Sequence, residues 1–388
     1  MIATLLLGAA TTNTLRADIN SDFNPIMTAV PALSIAPDAR GGGLGDVGAA
    51  TTADVFSQYW NPAKYAFHYS QAGFAFSYTP WLRRLVSDVG LANASGFWKF
   101  GNNDLQAMGA SINYFSLGNI QMTNENGDPI HTISPYEMTA DLSFSRKLSD
   151  SFSAAVAIRY IRSDMGTNTG AEGDRTPGNA FAADIAVYYT DYVIVGQREC
   201  QVSFGLNASN IGTKISYDEG NTSQFLPANL KIGGGFFVPF DAYNRLSLNV
   251  DLNKYLVPTP PNRNDYAEDP SGWEQALQEY RDISPISGIF KSFTDAPGGF
   301  KEEMQEITAG IGLEYSYDDQ FFVRGGYHYE SMYKGNRQYA TLGAGFKMNV
   351  FELGVSYLIA TVPSNPLDQT LRFSLAFDMD GINTIFAR

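Results

Sequence analysis

The sequence holds a single cysteine, Cys200, and only three histidines, His68, His131 and His328. A lone thiol excludes a disulfide within the chain, a paired-cysteine redox motif and a thiolate metal cluster. The histidines are far apart and none sits in the HxxxH spacing of a zinc-binding helix. No metal and no cofactor is expected. Charge is also scarce, at 17% of the 388 residues, against about a quarter in an ordinary globular protein. Positive charge is the scarcer sign. The 26 Lys and Arg face 40 Asp and Glu, a formal net of −14, which argues against a nucleic-acid partner. Beyond residue 10 there is no run of about 18 apolar residues, so no transmembrane helix is expected.

In place of these the sequence has 26 Phe, 22 Tyr and 37 Gly. Few charges, many aromatics and many glycines describe a β-rich chain with much apolar or lipid-facing surface. The first ten residues, Met1 to Ala10, are apolar, and Thr-Thr-Asn-Thr-Leu-Arg-Ala17 follows. Residues 1–17 read as the apolar and cleavage regions of an export signal, with no cysteine to make a lipoprotein. Export without a membrane helix leaves a soluble secreted protein or an outer-membrane barrel.

From about residue 72 the chain alternates with period two. Phe152, Ala154, Val156, Ile158 and Tyr160 share one face, as do Ile307, Ala309, Ile311, Leu313 and Tyr315. Fourteen such segments are predicted: 72–79, 90–100, 104–117, 135–147, 151–163, 178–190, 200–212, 228–239, 243–255, 304–317, 320–330, 338–348, 350–360 and 369–378. Most run to lengths suited to a tilted membrane strand of about 9–11 residues, beyond the globular mode of about 5–6. Charges keep to the polar face, among them Asp141, Arg159, Asp184, Asp251 and Arg372. The opposite face is nearly charge-free, with Arg146 an exception at a strand end. Long and short connections alternate, as in outer-membrane barrels, and an even strand number puts both ends of the barrel in the periplasm. The expected organisation is a signal-like segment at 1–17, a periplasmic or hatch segment at 18–71, an all-β, 14-stranded antiparallel transmembrane barrel at 72–378 with a long outer loop at 256–303, and a periplasmic tail at 379–388.

Several motifs have two readings. Gly43-Leu-Gly45-Asp-Val-Gly48 matches GxGxxG, but no βαβ unit surrounds it, so a tightly packed turn is preferred to a phosphate cradle. Thr51–Trp60 carries Val55, Phe56, Tyr59 and Trp60 at helical spacing, and Asn61-Pro62 ends that helix. Gly43, Gly45, Gly48, Asn61 and Pro62 are suited to a hatch folded inside the lumen. The lumen carboxylates alternate with Arg and Lys, so an ion-pair lattice is preferred to an acid–base pair, and no catalytic residue is assigned. Two outer stretches have apolar faces. Trp81, Leu82, Leu85, Val86 and Val89 fit a short helix. Ser271-Gly-Trp273-Glu274 reads as a capping box opening Glu274–Arg281, after which Ile286, Ile289, Phe290 and Phe293 share a face. Each is either packed on the barrel rim or a partner surface.

Ala36-Pro-Asp-Ala-Arg40-Gly-Gly-Gly-Leu-Gly45-Asp-Val-Gly48, Asp54 and Asn61-Pro62-Ala63 resemble the start of FadL-like outer-membrane proteins. That resemblance implies a fourteen-stranded barrel with an N-terminal hatch. Lys64 departs from the hydrophobic-substrate channels of that group, which usually have glycine there. Tyr59-Trp-Asn-Pro-Ala-Lys-Tyr65-Ala-Phe67 and Ser77-Tyr-Thr-Pro-Trp81-Leu instead resemble the PorV (LptO) family of the type IX secretion system. The resemblance implies a non-enzymatic outer-membrane protein that associates with the SprA (Sov) translocon. It would accept cargo bearing a C-terminal signal domain and pass it to the PorU sortase, which cleaves that domain and attaches the cargo to the surface. Outer-membrane lipid is the remaining expected partner. Two other readings stand beside it: a FadL-type channel for hydrophobic molecules, and an outer-membrane lipid-modifying enzyme.

Overall fold

The structure, a computed structural model, describes residues 23–83, 86–101, 104–124, 126–166, 176–218, 222–363 and 365–378. The signal-like segment and the C-terminal tail lie outside these residues. The strands are β1 (Ala72–Pro80), β2 (Val89–Phe100), β3 (Gln106–Leu117), β4 (Ile120–Thr123), β5 (Pro129–Ile133), β6 (Tyr136–Lys147), β7 (Phe152–Asp164) and β8 (Gly178–Val195). They continue as β9 (Arg198–Gly212), β10 (Asn229–Pro239), β11 (Asn244–Tyr255), β12 (Thr308–Tyr317), β13 (Phe321–Tyr329), β14 (Tyr339–Met348), β15 (Phe351–Ala360) and β16 (Leu371–Asp378). Fourteen of them form a closed antiparallel barrel, with β16 returning to pair with β1. β4 and β5 form a separate two-stranded hairpin within the β3–β6 connection, which the sequence pattern did not reveal.

The period-two pattern decides which side chains meet which solvent. Leu142, Val156, Val250, Ile311 and Phe373 face outward and are exposed, as a lipid-facing wall requires. Asp141, Arg159, Asp184, Asp251 and Arg372 face the lumen and are buried. Connections 101–105, 148–151, 196–197, 240–243, 318–320 and 349–350 gather at one end of the barrel. The longer ones, up to 256–307, gather at the other.

Three local expectations are corrected. Residues 300–305 form a short helix, so β12 begins at Thr308 and not at 304; Glu302 and Glu303 in its first turn suit the positive end of a helix. The helix expected within 51–60 shrinks to one turn, Ser57–Trp60, because Asn61 is extended and Pro62 starts a new 3-10 turn. β8 and β9 run to Val195 and from Arg198, because the β-forming Tyr192–Val195 continues the ladder to a turn at Gly196, whose φ is 67°.

The segment before β1 runs the length of the lumen. Its described start lies at the long-loop end, where the Asn24 amide donates to Tyr333 O at 3.0 Å and the Ala29 amide to Phe225 O at 2.9 Å. It leaves at the short-turn end, where Lys99 Nζ donates to His68 O at 2.8 Å, and turns into β1. Strand parity fixes only where β1 begins and β16 ends, so it could not locate residues 23–30.

Candidate functional site

Residues 31–67 form a hatch built from short turns, each stopped by its own residues. Asp38 caps the turn Ala39–Gly43, accepting from the Gly41 amide at 2.7 Å, and its other oxygen accepts from Trp60 Nε1 at 2.7 Å. Asn61 caps the turn Pro62–Phe67, accepting from the Ala63 amide at 3.0 Å. Its Nδ2 donates to Ala49 O and, across to the wall, to Val187 O at 2.9 Å. Proline at the first position of that turn gives up an amide that would have no partner. One asparagine thus starts a turn and ties hatch to barrel.

Glycine lets the hatch lie directly on the strands. Gly45 has φ 78°, and a Cβ there would fall 2.7 Å from the Tyr327 amide nitrogen. The wall reciprocates: a Cβ on Gly326 would meet the Leu44 carbonyl carbon at 2.2 Å, and one on Gly205 would meet Ala49 O at 1.9 Å. Gly43 touches Gly343, and a Cβ on Gly48 would enter the Trp60 ring. The glycine block is a packing surface, as the sequence pattern suggested, and its GxGxxG spacing is incidental.

Charge then locks the contact. Arg40 bridges Glu314 on β12 and Asp54 in the hatch, each at 2.9 Å, and Arg324 on β13 reaches the same Glu314 at 2.6 Å. Asp251 on β11 accepts from the Gly48 and Ala49 amides at 2.7 and 2.8 Å. Arg372 meets Asp46 at 3.3 Å, and Tyr339 donates to the same carboxylate. On the opposite wall Arg159 joins Asp141 and Asp184, the latter at 3.1 Å. The five lumen charges therefore divide: Asp251 and Arg372 hold the hatch, while Asp141, Arg159 and Asp184 form a lattice within the wall. The sequence treated Lys64 only as a departure from a pattern. It is fully buried, and its ammonium donates to Gly48 O at 2.8 Å and Thr51 Oγ1 at 3.0 Å, tying the glycine block to the following turn. Arg40 and Glu314 were likewise missed as clamp residues, since nothing local in the sequence joins them, and Asp38 was missed as the cap of the glycine turn.

The hatch divides the lumen. Above it, a cavity of about 90 Å3 lies between Leu33–Ala36 and wall residues that include Lys231 and Tyr339. Below it, a vestibule of about 650 Å3 is lined by Asp54, Arg245, Phe322, Lys347 and Glu352, among others.

The outer stretches part ways. Trp81 and Leu82 are not on a helix: the Trp81 amide donates to Val89 O at 3.0 Å, continuing the β1–β2 ladder, and Leu82 has φ 52°. Trp81 is half-buried between Ala32, Ile35 and Leu91 on one side and Tyr339, Leu358 and Leu367 on the other, with Leu82 beside it. Leu85 lies outside the described residues. In the long loop the helix is Pro270–Asp282, capped by Asp269 and not by Ser271, because Pro270 takes the first position. Trp273 is half-buried, and its ring lies 6.0 Å from that of Tyr266. On the next helix, Pro285–Lys291, Ile289 packs inward beside Phe225 and Leu256. Ile286, Phe290 and Phe293 are exposed, and so are Phe300 and Met304 nearby. Ion pairs fasten this loop to the rim. Lys254 meets Glu306 at 2.6 Å and Glu303 at 3.0 Å, and Lys334 meets Glu306 at 3.0 Å. Beside them Asp295 is pushed up to about 6, first by burial, with Glu303 and Glu306 adding to it against the bonds from Thr259.

Comparison with known proteins agrees with the architecture. The profile of a family described as "Type IX secretion system protein PorV" matches residues 18–262. A comparison with curated proteins found no match. Among solved structures, the TodX deltaS2S3 mutant monoaromatic hydrocarbon channel superposes with a TM-score of 0.50 at 11% identity, over 88% of this chain and 98% of that one. The Ralstonia pickettii toluene transporter TbuX gives 0.45 at 11% identity over 90% and 99%. A Pseudomonas aeruginosa FadL homologue gives 0.44 at 12% identity over 92% and 99%.

Proposed function

Because the chain belongs to the PorV family of type IX secretion system proteins and forms an outer-membrane barrel, we propose that it serves secretion as a docking subunit. It binds the SprA (Sov) translocon, accepts cargo carrying a C-terminal signal domain and hands that cargo to the PorU sortase. The observation that carries this reading is the pairing of a lumen crossed by a fastened hatch with an apolar surface above the membrane. Arg40, Asp251, Lys64 and Arg372 hold the hatch in place, while Ile286, Phe290, Phe293, Phe300 and Met304 stand exposed on the longest outer loop. Exposed apolar clusters of this kind mark interaction sites, and burying one such side chain is worth about 1.5–3 kcal/mol. Trp81 and Leu82 belong to a different part of the rim, against Tyr339, Leu358 and Leu367.

The test is affinity copurification in mild detergent. Phe290→Asp combined with Phe293→Asp should leave heat-modifiable gel mobility intact and reduce recovery of a very large barrel, of cargo, or of both. Full recovery and full secretion would remove the loop from the interface. A second reading, a channel for hydrophobic molecules, draws on the two cavities on either side of the hatch. Steady conductance of the unmodified protein in planar bilayers would favour it.

A further inference from the structure

The outward wall carries almost no charge, and at its long-loop end one strand cation is unlike the rest. Arg162, two residues from the end of β7, lies on the same outward face as Val156, Ile158 and Tyr160. Lys254, the outward cation at the same end of β11, is neutralised by Glu303 and Glu306. Among the described residues Arg162 meets no carboxylate within ion-pair distance. Its neighbours are neutral. Nε donates to Tyr136 Oη at 3.1 Å and Nη1 to Asn179 Oδ1 at 3.4 Å. Asn179 in turn accepts from Tyr160 Oη at 2.6 Å. These groups hold the guanidinium in one orientation without cancelling its charge, and they engage fewer donors than a guanidinium carries. Asp164, two residues on along the same face, is turned to the loop, where it accepts from the Gly166 amide at 2.9 Å.

The surroundings are aromatic. Tyr114 stacks on Tyr136 with centroids 5.6 Å apart, and Tyr160 lies against Phe181 at 5.4 Å. Tyr114 and Phe181 are themselves exposed. Among the described residues the site therefore has a fork-shaped cation without a carboxylate partner at the membrane boundary, flanked by flat aromatic faces on β3, β6, β7 and β8. Arginine binds phosphate through paired N–H groups, and aromatic faces accept the apolar face of a sugar ring. In a chain of net charge −14, a fixed cation on a lipid-facing wall points to an anion supplied by the lipid itself. We propose that Arg162, with Tyr114, Tyr136, Tyr160 and Asn179, is a binding site for the phosphorylated headgroup of a glycolipid in the outer leaflet. The site rests on the outer-membrane location of the barrel and not on any protein partner, so it stands or falls separately from the docking reading.

The full chain, purified in mild detergent and stripped of lipid, is titrated by native mass spectrometry with four probes: diphosphorylated lipid A, lipid A without phosphates, phosphatidylglycerol and phosphatidylethanolamine. The expected result is one preferred copy of diphosphorylated lipid A per barrel, with affinity roughly tenfold or more weaker for Arg162→Gln. Arg162→Lys should lose nearly as much, since a lysine keeps the charge but not the fork. A residue that only anchors the barrel at the interface would tolerate lysine. Unchanged binding by Arg162→Gln, or full binding by Arg162→Lys, would overturn the proposal. So would equal retention of lipid A without phosphates, or of phosphatidylglycerol, by the unmodified protein, a comparison that needs no variant to fold.

Discussion

Arg40 in the hatch and Glu314 on β12 hold each other through two contacts, Nε to Oε2 at 3.1 Å and Nη2 to Oε1 at 2.9 Å. The two residues are 274 positions apart, and Glu314 also takes Arg324 at 2.6 Å while Arg40 also takes Asp54 at 2.9 Å. Four charges in a narrow lumen thus depend on one another, and both ends of the glycine block are drawn to the same wall.

Removing one member should loosen the hatch without opening the barrel. Arg40→Ala leaves Asp54 without its cation and Glu314 with Arg324 alone, a break of the kind that costs about 3–5 kcal/mol in buried pairs. Faster amide exchange over residues 38–54, with gel mobility unchanged, is the expected result. Brief conductance steps in planar bilayers should appear where the unmodified protein is silent. The double variant Arg40→Met with Asp54→Asn should exchange more slowly than Arg40→Ala, because Glu314 keeps Arg324 and no carboxylate of the network is left without a cation.

Gly45 should tolerate no β-branched residue. A side chain there suffers twice, from φ 78° and from a Cβ 2.7 Å from the Tyr327 backbone, which cannot yield without shifting β13. The left-handed conformation alone costs about 1–2 kcal/mol. Gly45→Val is expected to displace the hatch and raise protease cleavage within residues 36–50, whereas Gly234→Ala, in β10 with no atom closer to its Cβ than the Phe204 ring at 3.9 Å, should behave nearly as the unmodified protein.

The lipid face makes its own demand. Ile311 is exposed on the outward wall of β12, cross-strand from Val250. Ile311→Arg should lower folding stability in liposomes by about 2–4 kcal/mol, the cost of a cation near the bilayer midplane. A variant that folds as readily in liposomes as in detergent would show that this face does not meet lipid.

The long outer loop should respond to mild acid. Asp295 is raised from 3.8 to about 6 by burial, so the folded loop holds its proton where the free loop has lost it. For an acid with a raised value, the folded form gains below the ordinary value and loses stability as pH rises from about 4 to 6. The loop should therefore be cleaved more readily by protease at pH 7 than at pH 5, relative to Asp295→Asn, in which that difference should shrink.

Local pattern alone determined the barrel. Side chains alternate across a strand whatever lies beside it, so Val156 facing lipid and Arg159 facing the lumen follow from their positions, and the segment lengths reported a membrane before any contact was known. The glycine block could also be read as a close-packed surface, because glycine permits an approach that other residues forbid. What it packs against was decided in three dimensions, where Gly326, Gly205 and Gly343 on distant strands leave room for it. The clamp Arg40–Glu314 and the course of residues 23–30 through the lumen depend on strands hundreds of residues apart closing into one wall, and the pinning role of Lys64 depends on the hatch folding back on itself. Trp81 shows the same limit. Its apolar spacing suggested a helix, yet pairing with Val89 and the apolar bed of Ala32, Leu91 and Leu358 placed it in a turn against the rim. Periodicity is a property of neighbours in the chain, whereas burial and charge pairing belong to neighbours in space.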